Sequence, residues 1–148
     1  MSIKQVQITT DGGCYPNPGP GAWVAIIRYK DSSREVSGRD PETTNNRMEL
    51  MAVIGGIKAL KETCRVLVRT DSMNTIHWCK PGSFKKEKDR LKNPLAWALV
   101  QEYRRVALQH DVTFEWVRGH AGDPDNERCD AQALQLHRQA STRDLRAL

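Results

Sequence analysis

The 148-residue chain has no apolar run longer than Ala22 to Ile27, far short of the ~18–20 residues that a membrane-spanning helix needs. Its N-terminus, MSIKQVQITT, alternates where a secretion signal would present an apolar block. These absences predict a soluble, cytoplasmic protein with no targeting segment and no membrane partner. Cysteine is scarce and scattered: Cys14, Cys64, Cys79 and Cys129 include no C-x-x-C pair and no closely spaced Cys/His set. That argues against a zinc site and against a disulfide scaffold, and predicts four reduced thiols. A chain of this size buries roughly two thirds of its unfolded surface and needs neither staple. No repeat, internal linker or heptad pattern interrupts it, so the expectation is one monomeric domain over residues 1–148, with about 141–148 a tail. Acidic residues are the minority, 18 against 23 basic, for a net charge of +5. Such a charge permits a polyanionic partner without requiring one.

What is present follows a clear order. Val6, Ile8 and Thr10 share one face of a strand that ends at Asp11, and GGCYPNPGPG, with its glycines and prolines, reads as a loop. Ala22–Tyr29 is a second strand and SREVSGR a weaker third, paired as a hairpin. From Thr44 to Thr63 the period turns helical, with Asn46 and Glu49 or Thr44 as capping residues, and the Gly55-Gly56 pair implies close helix-to-sheet packing. Arg65–Asp71 is a strand, Ser72–Lys80 a short helix, and Pro94 opens a helix to about Gln109. Val112–Val117 is a last strand, and Asn126 or Asp125 caps a helix to about Gln139. The order βββαβα(α)βα is that of an α/β (α+β) sandwich. Between its middle helices, Lys80–Lys92 holds six basic residues against two acidic, most of the net charge, and reads as an exposed protrusion.

Four acids stand where surface charges are unusual. Asp11 and Asp71 each follow a threonine at the end of an apolar strand, Glu49 lies between two apolar helix faces, and Asp130 sits early in the last helix. Taken singly, a strand-end aspartate more often caps a turn, and a helix acid is more often solvated. If the two strands are neighbours, however, their ends lie ~5 Å apart, and two helices can bring the other acids to the same place. Carboxylates so crowded raise one another's pKa and call for divalent cations, for which hard oxygen ligands select Mg2+ or Mn2+. A pair of such ions is machinery for phosphodiester cleavage. In the loop WVRGHAG, His120 could shuttle a proton. A group of that kind supplies ~10²–10⁴ in rate, so the metals would carry most of the acceleration.

The segments TDGG at Asp11, NPGPGAW from Asn17, TTNNRMEL from Thr43, TDS from Thr70, WVRGHAG from Trp116 and NERCD from Asn126 occur in the order of the type 1 ribonucleases H. From Ile3 to about Leu136 the chain resembles that family, the bacterial HI kind. The resemblance implies a five-stranded mixed sheet flanked by helices. It implies that Asp11, Glu49, Asp71 and Asp130 bind two Mg2+ ions, with Mn2+ an alternative, and that His120 assists proton transfer or product release. The implied activity is endonucleolytic hydrolysis of the RNA strand of RNA/DNA hybrids, leaving 3′-hydroxyl and 5′-phosphate ends. RNA is distinguished by its 2′-hydroxyl, exposed in a wide, shallow minor groove. The resemblance places Cys14, Asn17, Asn45 and Asn46 at positions that line this groove, with the backbone at Gly12 allowing close approach, and implies phosphate contact through Lys85, Lys86, Lys88, Arg90 and Lys92. Met73 departs from the glutamine that many members carry and cannot donate to a base or sugar edge; Gly13 stands where many have serine. Two alternatives stay open on sequence alone: a binding module that has lost catalysis, and another metal-dependent nuclease of related fold.

Overall fold

The computed structural model describes residues 3–119 and 122–147, with residues 137–147 as backbone alone. The elements run β1 (Lys4–Cys14), β2 (Gly19–Tyr29), β3 (Ser32–Thr43), α1 (Asn45–Lys58), β4 (Cys64–Thr70), α2 (Met73–Cys79), α3 (Glu87–Lys92), α4 (Pro94–Ala107), β5 (Asp111–Trp116) and α5 (Pro124–Ala147). The strands form one sheet in the order β3-β2-β1-β4-β5. β1, β2 and β3 pair antiparallel, while β4 lies parallel to both β1 and β5. The chain is thus a meander followed by crossover units, as parallel pairing demands.

Alternation along the strands builds a core on each face of the sheet. Val6 and Ile8 of β1, Ala25 and Ile27 of β2, and Val66 and Val68 of β4 pack against Leu50, Val53, Ile54 and Ile57 of α1 and Val100, Tyr103 and Val106 of α4. The intervening Val24 and Ile26 face the other way and meet Cys129 and Ala133 of α5. Burying such side chains stabilises by roughly 1.5–3 kcal/mol each, and this two-sided core holds the strand ends rigid. Ion pairs fasten α5 to the sheet: Arg28 of β2 binds Asp125 through both Nε and Nη2, and Arg128 reaches Glu35 of β3. All four cysteines are free thiols. Among the described residues, no helix is long and apolar enough to cross a membrane.

The structure moves several boundaries. The glycine- and proline-rich stretch is largely strand, since β1 continues to Cys14 and β2 begins at Gly19. Its glycines serve close approach more than turning: a Cβ on Gly12 would lie 2.5 Å from the backbone C and O of Met48, and one on Gly21 2.7 Å from the carbonyl of Gly13. Thr44 is the cap of α1, accepting the Arg47 N–H at 3.3 Å. The helix stops at Lys58, before the expected Thr63, where Leu60 N–H turns back to the Ile57 carbonyl at 3.0 Å. α5 is capped by neither Asn126 nor Asp125: Asp123 Oδ1 accepts the Asn126 N–H at 3.0 Å. It also runs past Gln139 and through most of the expected tail, because nothing from Ala140 to Ala147 is a glycine or proline that would break it.

The Lys80–Lys92 stretch is better ordered than its composition suggests. Phe84 stacks on Trp97 of α4 at 5.8 Å between ring centroids and meets Trp78 edge-on at 5.9 Å. Arg104 donates to the Ser83 carbonyl at 2.9 Å, and Arg90 to that of Phe84 at 2.7 Å while lying over the Trp97 ring. Arg90 is therefore a brace of this segment, and two of its nitrogens are already committed to backbone carbonyls.

Close contact at Gly12 sets how near α1 can come to β1. Because the obstructing atoms belong to the Met48 backbone and cannot rotate away, Gly12→Ala should cost about 1–3 kcal/mol. A thermal melt against the wild type checks this; an unchanged melting temperature would show that α1 can retreat freely.

Candidate active site

Parallel pairing of β1 with β4 places the first two acids. Thr9 is opposite Arg69, so Asp11 and Asp71, each two residues further on, emerge side by side at the same end of the sheet. The Gly12 contact brings α1 down beside them, and the Gly12 N–H supports the Glu49 carboxylate. The result is a group whose carboxylate oxygens from Asp11, Glu49 and Asp71 lie within 4.8 Å of one another. Asp130 is not in this closest group, but it lines the same cavity and its charge acts on Asp11. The α5 helix that carries it is pinned one residue earlier, where Cys129 Sγ donates to the Thr9 carbonyl at 3.2 Å.

Crowding shows in the electrostatics. Asp11 is 6% exposed; burial, with the Asp71 charge behind it, pushes its carboxyl up to about 7. Glu49 is held well above the usual carboxylate range, first by burial and then by the charges of Asp11 and Asp71. Their direct side-chain interaction lowers the Asp11 carboxyl and raises that of Glu49. Oε2 of Glu49 is buried with no hydrogen-bond partner. An orphaned buried oxygen among three crowded carboxylates fits a hard divalent cation, which would satisfy that atom and neutralise the repulsion. Asp11, Glu49 and Asp71 would hold it, with Asp130 alongside.

The cavity over these acids encloses about 490 Å³ and is lined by Gly12, Gly13, Cys14, Tyr15, Asn45, Asn46, Ser72, Ala133 and Leu134 in addition to the four acids. Gly12, Cys14, Asn45 and Asn46 are thus brought to it. Asn17 does not line it but supports the wall: its Oδ1 accepts the Asn45 N–H at 3.2 Å and the Cys14 thiol at 3.4 Å. Asn45 Oδ1 in turn accepts the Cys14 N–H at 2.8 Å. Lys85, Lys86 and Lys88 are exposed on the segment between α2 and α4, outside the cavity. His120 lies outside the described residues. Of the other histidines within them, His77 is exposed on α2, and His110 Nδ1 accepts the Cys64 N–H at 3.0 Å. Tyr15, Ser72 and Leu134 were not legible as site residues, since nothing in local pattern distinguishes them. Asn126, which donates to Asp71 Oδ2 at 3.4 Å, reads in sequence only as a cap.

A family model described as RNase H matches residues 3–138. A protein of Mesorhizobium japonicum named Ribonuclease H is 47% identical over 138 residues, 88% of this chain and 76% of that one. Among solved structures, LC9-RNase H1, a type 1 RNase H with the type 2 active-site motif, superposes with a TM-score of 0.77 at 26% identity, covering 95% of this chain and 75% of that one. LC11-RNase H1, solved in complex with an RNA/DNA hybrid, superposes at 0.65 and 26% identity, covering 86% of this chain and 92% of that one.

The raised carboxyl of Asp11 carries a pH signature. An unfolded aspartate titrates near ~3.9, whereas the folded group sits at about 7. Its contribution to metal-free stability is therefore full below about pH 4 and lost as pH rises through 7. Asp11→Asn should raise the melting temperature in chelator at pH 8, by on the order of 1–3 kcal/mol of stability, with the gain shrinking toward pH 4. Added Mg2+ should stabilise the wild type much more than the variant. Melts at pH 4, 6 and 8 with and without metal check both statements; no gain at pH 8 would contradict the crowding.

Proposed function

The chain belongs to the RNase H family, and on that premise we propose that it is an endonuclease that hydrolyses the RNA strand of RNA/DNA hybrids, leaving 3′-hydroxyl and 5′-phosphate ends. The observation that carries this reading is the meeting of Asp11, Glu49 and Asp71, with the orphaned Glu49 oxygen, in a cavity walled by asparagines. A pure binder of polyanions would gain nothing from converging negative charge. The hybrid bound to LC11-RNase H1, a structural relative, supports the choice of substrate. The same reading takes residues 1–148 as one domain, acting as a monomer in the cytoplasm.

Two Mg2+ ions, with Mn2+ as an alternative, would lower the pKa of an attacking water and stabilise the leaving oxygen. The chain's own residues do the remaining work. Asp11, Glu49, Asp71 and Asp130 would hold the ions from a sheet end and two docked helices. Asn45 and Asn17 spend their side-chain oxygens on the backbone N–H groups of Cys14 and Asn45. Their amide N–H groups, with those of Asn46, are then the donors that can meet a 2′-hydroxyl in the minor groove. Gly12 and Cys14 present backbone at the same wall. Met73, exposed at the start of α2, offers only apolar contact. Lys85, Lys86 and Lys88 hold phosphates at a distance from the cleavage point, and His120 moves a proton to or from the reacting oxygens.

A labelled hybrid should be cut with Mg2+ and spared with chelator, and duplex DNA should be spared in both cases; equal cutting of duplex DNA, or none of the hybrid, refutes the assignment. Asp71→Asn should lose most turnover while still binding the hybrid. Replacing Lys85, Lys86 and Lys88 by alanine should flatten the salt dependence of hybrid binding by about 0.7–0.9 logarithmic units per phosphate contact removed. A slope that does not move would place the phosphates elsewhere. His120→Ala should lower kcat by about 10² or more with little change in KM.

A further inference from the structure

Asp71 lies one residue past the end of β4, beyond the sheet's own hydrogen bonds, yet its carboxylate must stay beside Asp11 and Glu49. Contacts from β5, the loop after it and α5 reach it from the side. Its carbonyl accepts Trp116 Nε1–H at 3.2 Å, and its Oδ2 accepts Asn126 Nδ2–H at 3.4 Å. Gly119 lies against the same oxygen, where a Cβ would stand 3.0 Å away. Asn126 is 2% exposed. Its backbone N–H is capped by Asp123 Oδ1, and the other oxygen of Asp123 pairs with Arg69, two residues before Asp71 on β4. A ring closes in this way: Arg69 to Asp123, Asp123 to Asn126, Asn126 to Asp71, and back along the strand. Arg69 also reaches Glu115 of β5 at 3.3 Å, which ties the ring to the sheet edge. Arg69, Asp123 and Asn126 do not line the cavity, so a direct contact with substrate is not their part.

We propose that Asn126, held in place by the Arg69–Asp123 pair, is a positioning residue of the metal centre that fixes the orientation of Asp71 before a cation arrives. Resting on the metal-dependent reading above, it gives a role to a neutral side chain and to the ion pair that holds it, neither of which is among the four acids. An amide suits the task physically. It donates a hydrogen bond to the carboxylate and carries no charge, so it orients Asp71 without cancelling the negative charge the cation needs. A lysine or arginine in its place would hold Asp71 and at the same time compete with the metal. Without any donor, repulsion from Asp11 and Glu49 favours rotamers of Asp71 that swing outward, and the cation must then order the side chain as it binds. Partners of this kind behind a metal ligand typically govern 10–100-fold in metal affinity.

Calorimetric titration of Mg2+ alone into the protein, without nucleic acid, tests this on Asn126→Ala and Arg69→Met, with a melt to confirm folding. Asn126→Ala should bind Mg2+ about 10-fold or more weakly, and Arg69→Met severalfold more weakly. On a saturating hybrid, the kcat of Asn126→Ala should climb back toward the wild-type value as Mg2+ is raised, with KM for the hybrid unchanged. A merely structural asparagine would lower the melting temperature and leave the Mg2+ affinity of the folded protein within twofold, and that result overturns the proposal. Should Asn126→Ala fail to fold, Arg69→Met decides, and wild-type affinity there overturns it equally. The functional reading fails separately, in the wild type itself, if Mg2+ binds but the hybrid is not cut; a wild type that binds no Mg2+ overturns both.

Discussion

Repulsion among Asp11, Glu49 and Asp71 is the constraint around which the rest of the molecule is arranged. Three carboxylates with oxygens inside 4.8 Å of each other oppose folding in the absence of metal. The protein answers partly by protonation, with Asp11 raised to about 7 and Glu49 higher than an ordinary glutamate, and partly by rigidity. Each acid is borne by a different element, and each element is anchored by contacts that do not involve the acids. The unfavourable site is thus offset by a favourable core, as is common where function requires a strained or charged arrangement.

The anchoring is economical in residues. One strand register sets Asp11 against Asp71. One glycine, Gly12, admits the α1 backbone that carries Glu49. On the opposite face, Cys129 bonds to Thr9 while Arg28 grips Asp125, and α5 is thereby seated with Asp130 toward Asp11. Sheet, helix docking and site are therefore one mechanical unit: a shift of either helix would separate the acids before it exposed much core.

The basic segment is built on another principle. Its lysines are exposed, but it is not a loose arm, because Phe84 is clasped by Trp78 and Trp97 and its backbone carbonyls are taken by Arg90 and Arg104. Guanidinium groups lying over Trp97 add cation–π attraction of about 0.5–1 kcal/mol each. Positive charge is thus displayed from an ordered platform, with some of its cations spent on holding the platform together.

Local pattern was enough to identify what depends on local pattern. Alternation revealed the strands, the change of period revealed α1 and α4, Gly55 and Gly56 revealed a close helix approach, and acids ending apolar strands were visible as anomalies. Composition misled where residues serve distant neighbours: the glycines from Gly12 to Gly21 read as a loop but lie in the end of β1 and the start of β2, with Gly12 against the α1 backbone, and Arg90 reads as a phosphate ligand but braces carbonyls. Asn126 reads in sequence as a helix cap, whereas the cap is Asp123; that the ring they form with Arg69 closes on Asp71 depends on β4 and the start of α5 meeting across 54 residues of chain. The sequence by itself determined the order of the elements and the identity of the acids, because hydrophobic period and residue chemistry are written within a few positions. Only the tertiary structure decided which oxygens crowd together, which stay unpartnered and which side chains hold them, because those depend on strand register and helix docking between residues far apart in the chain.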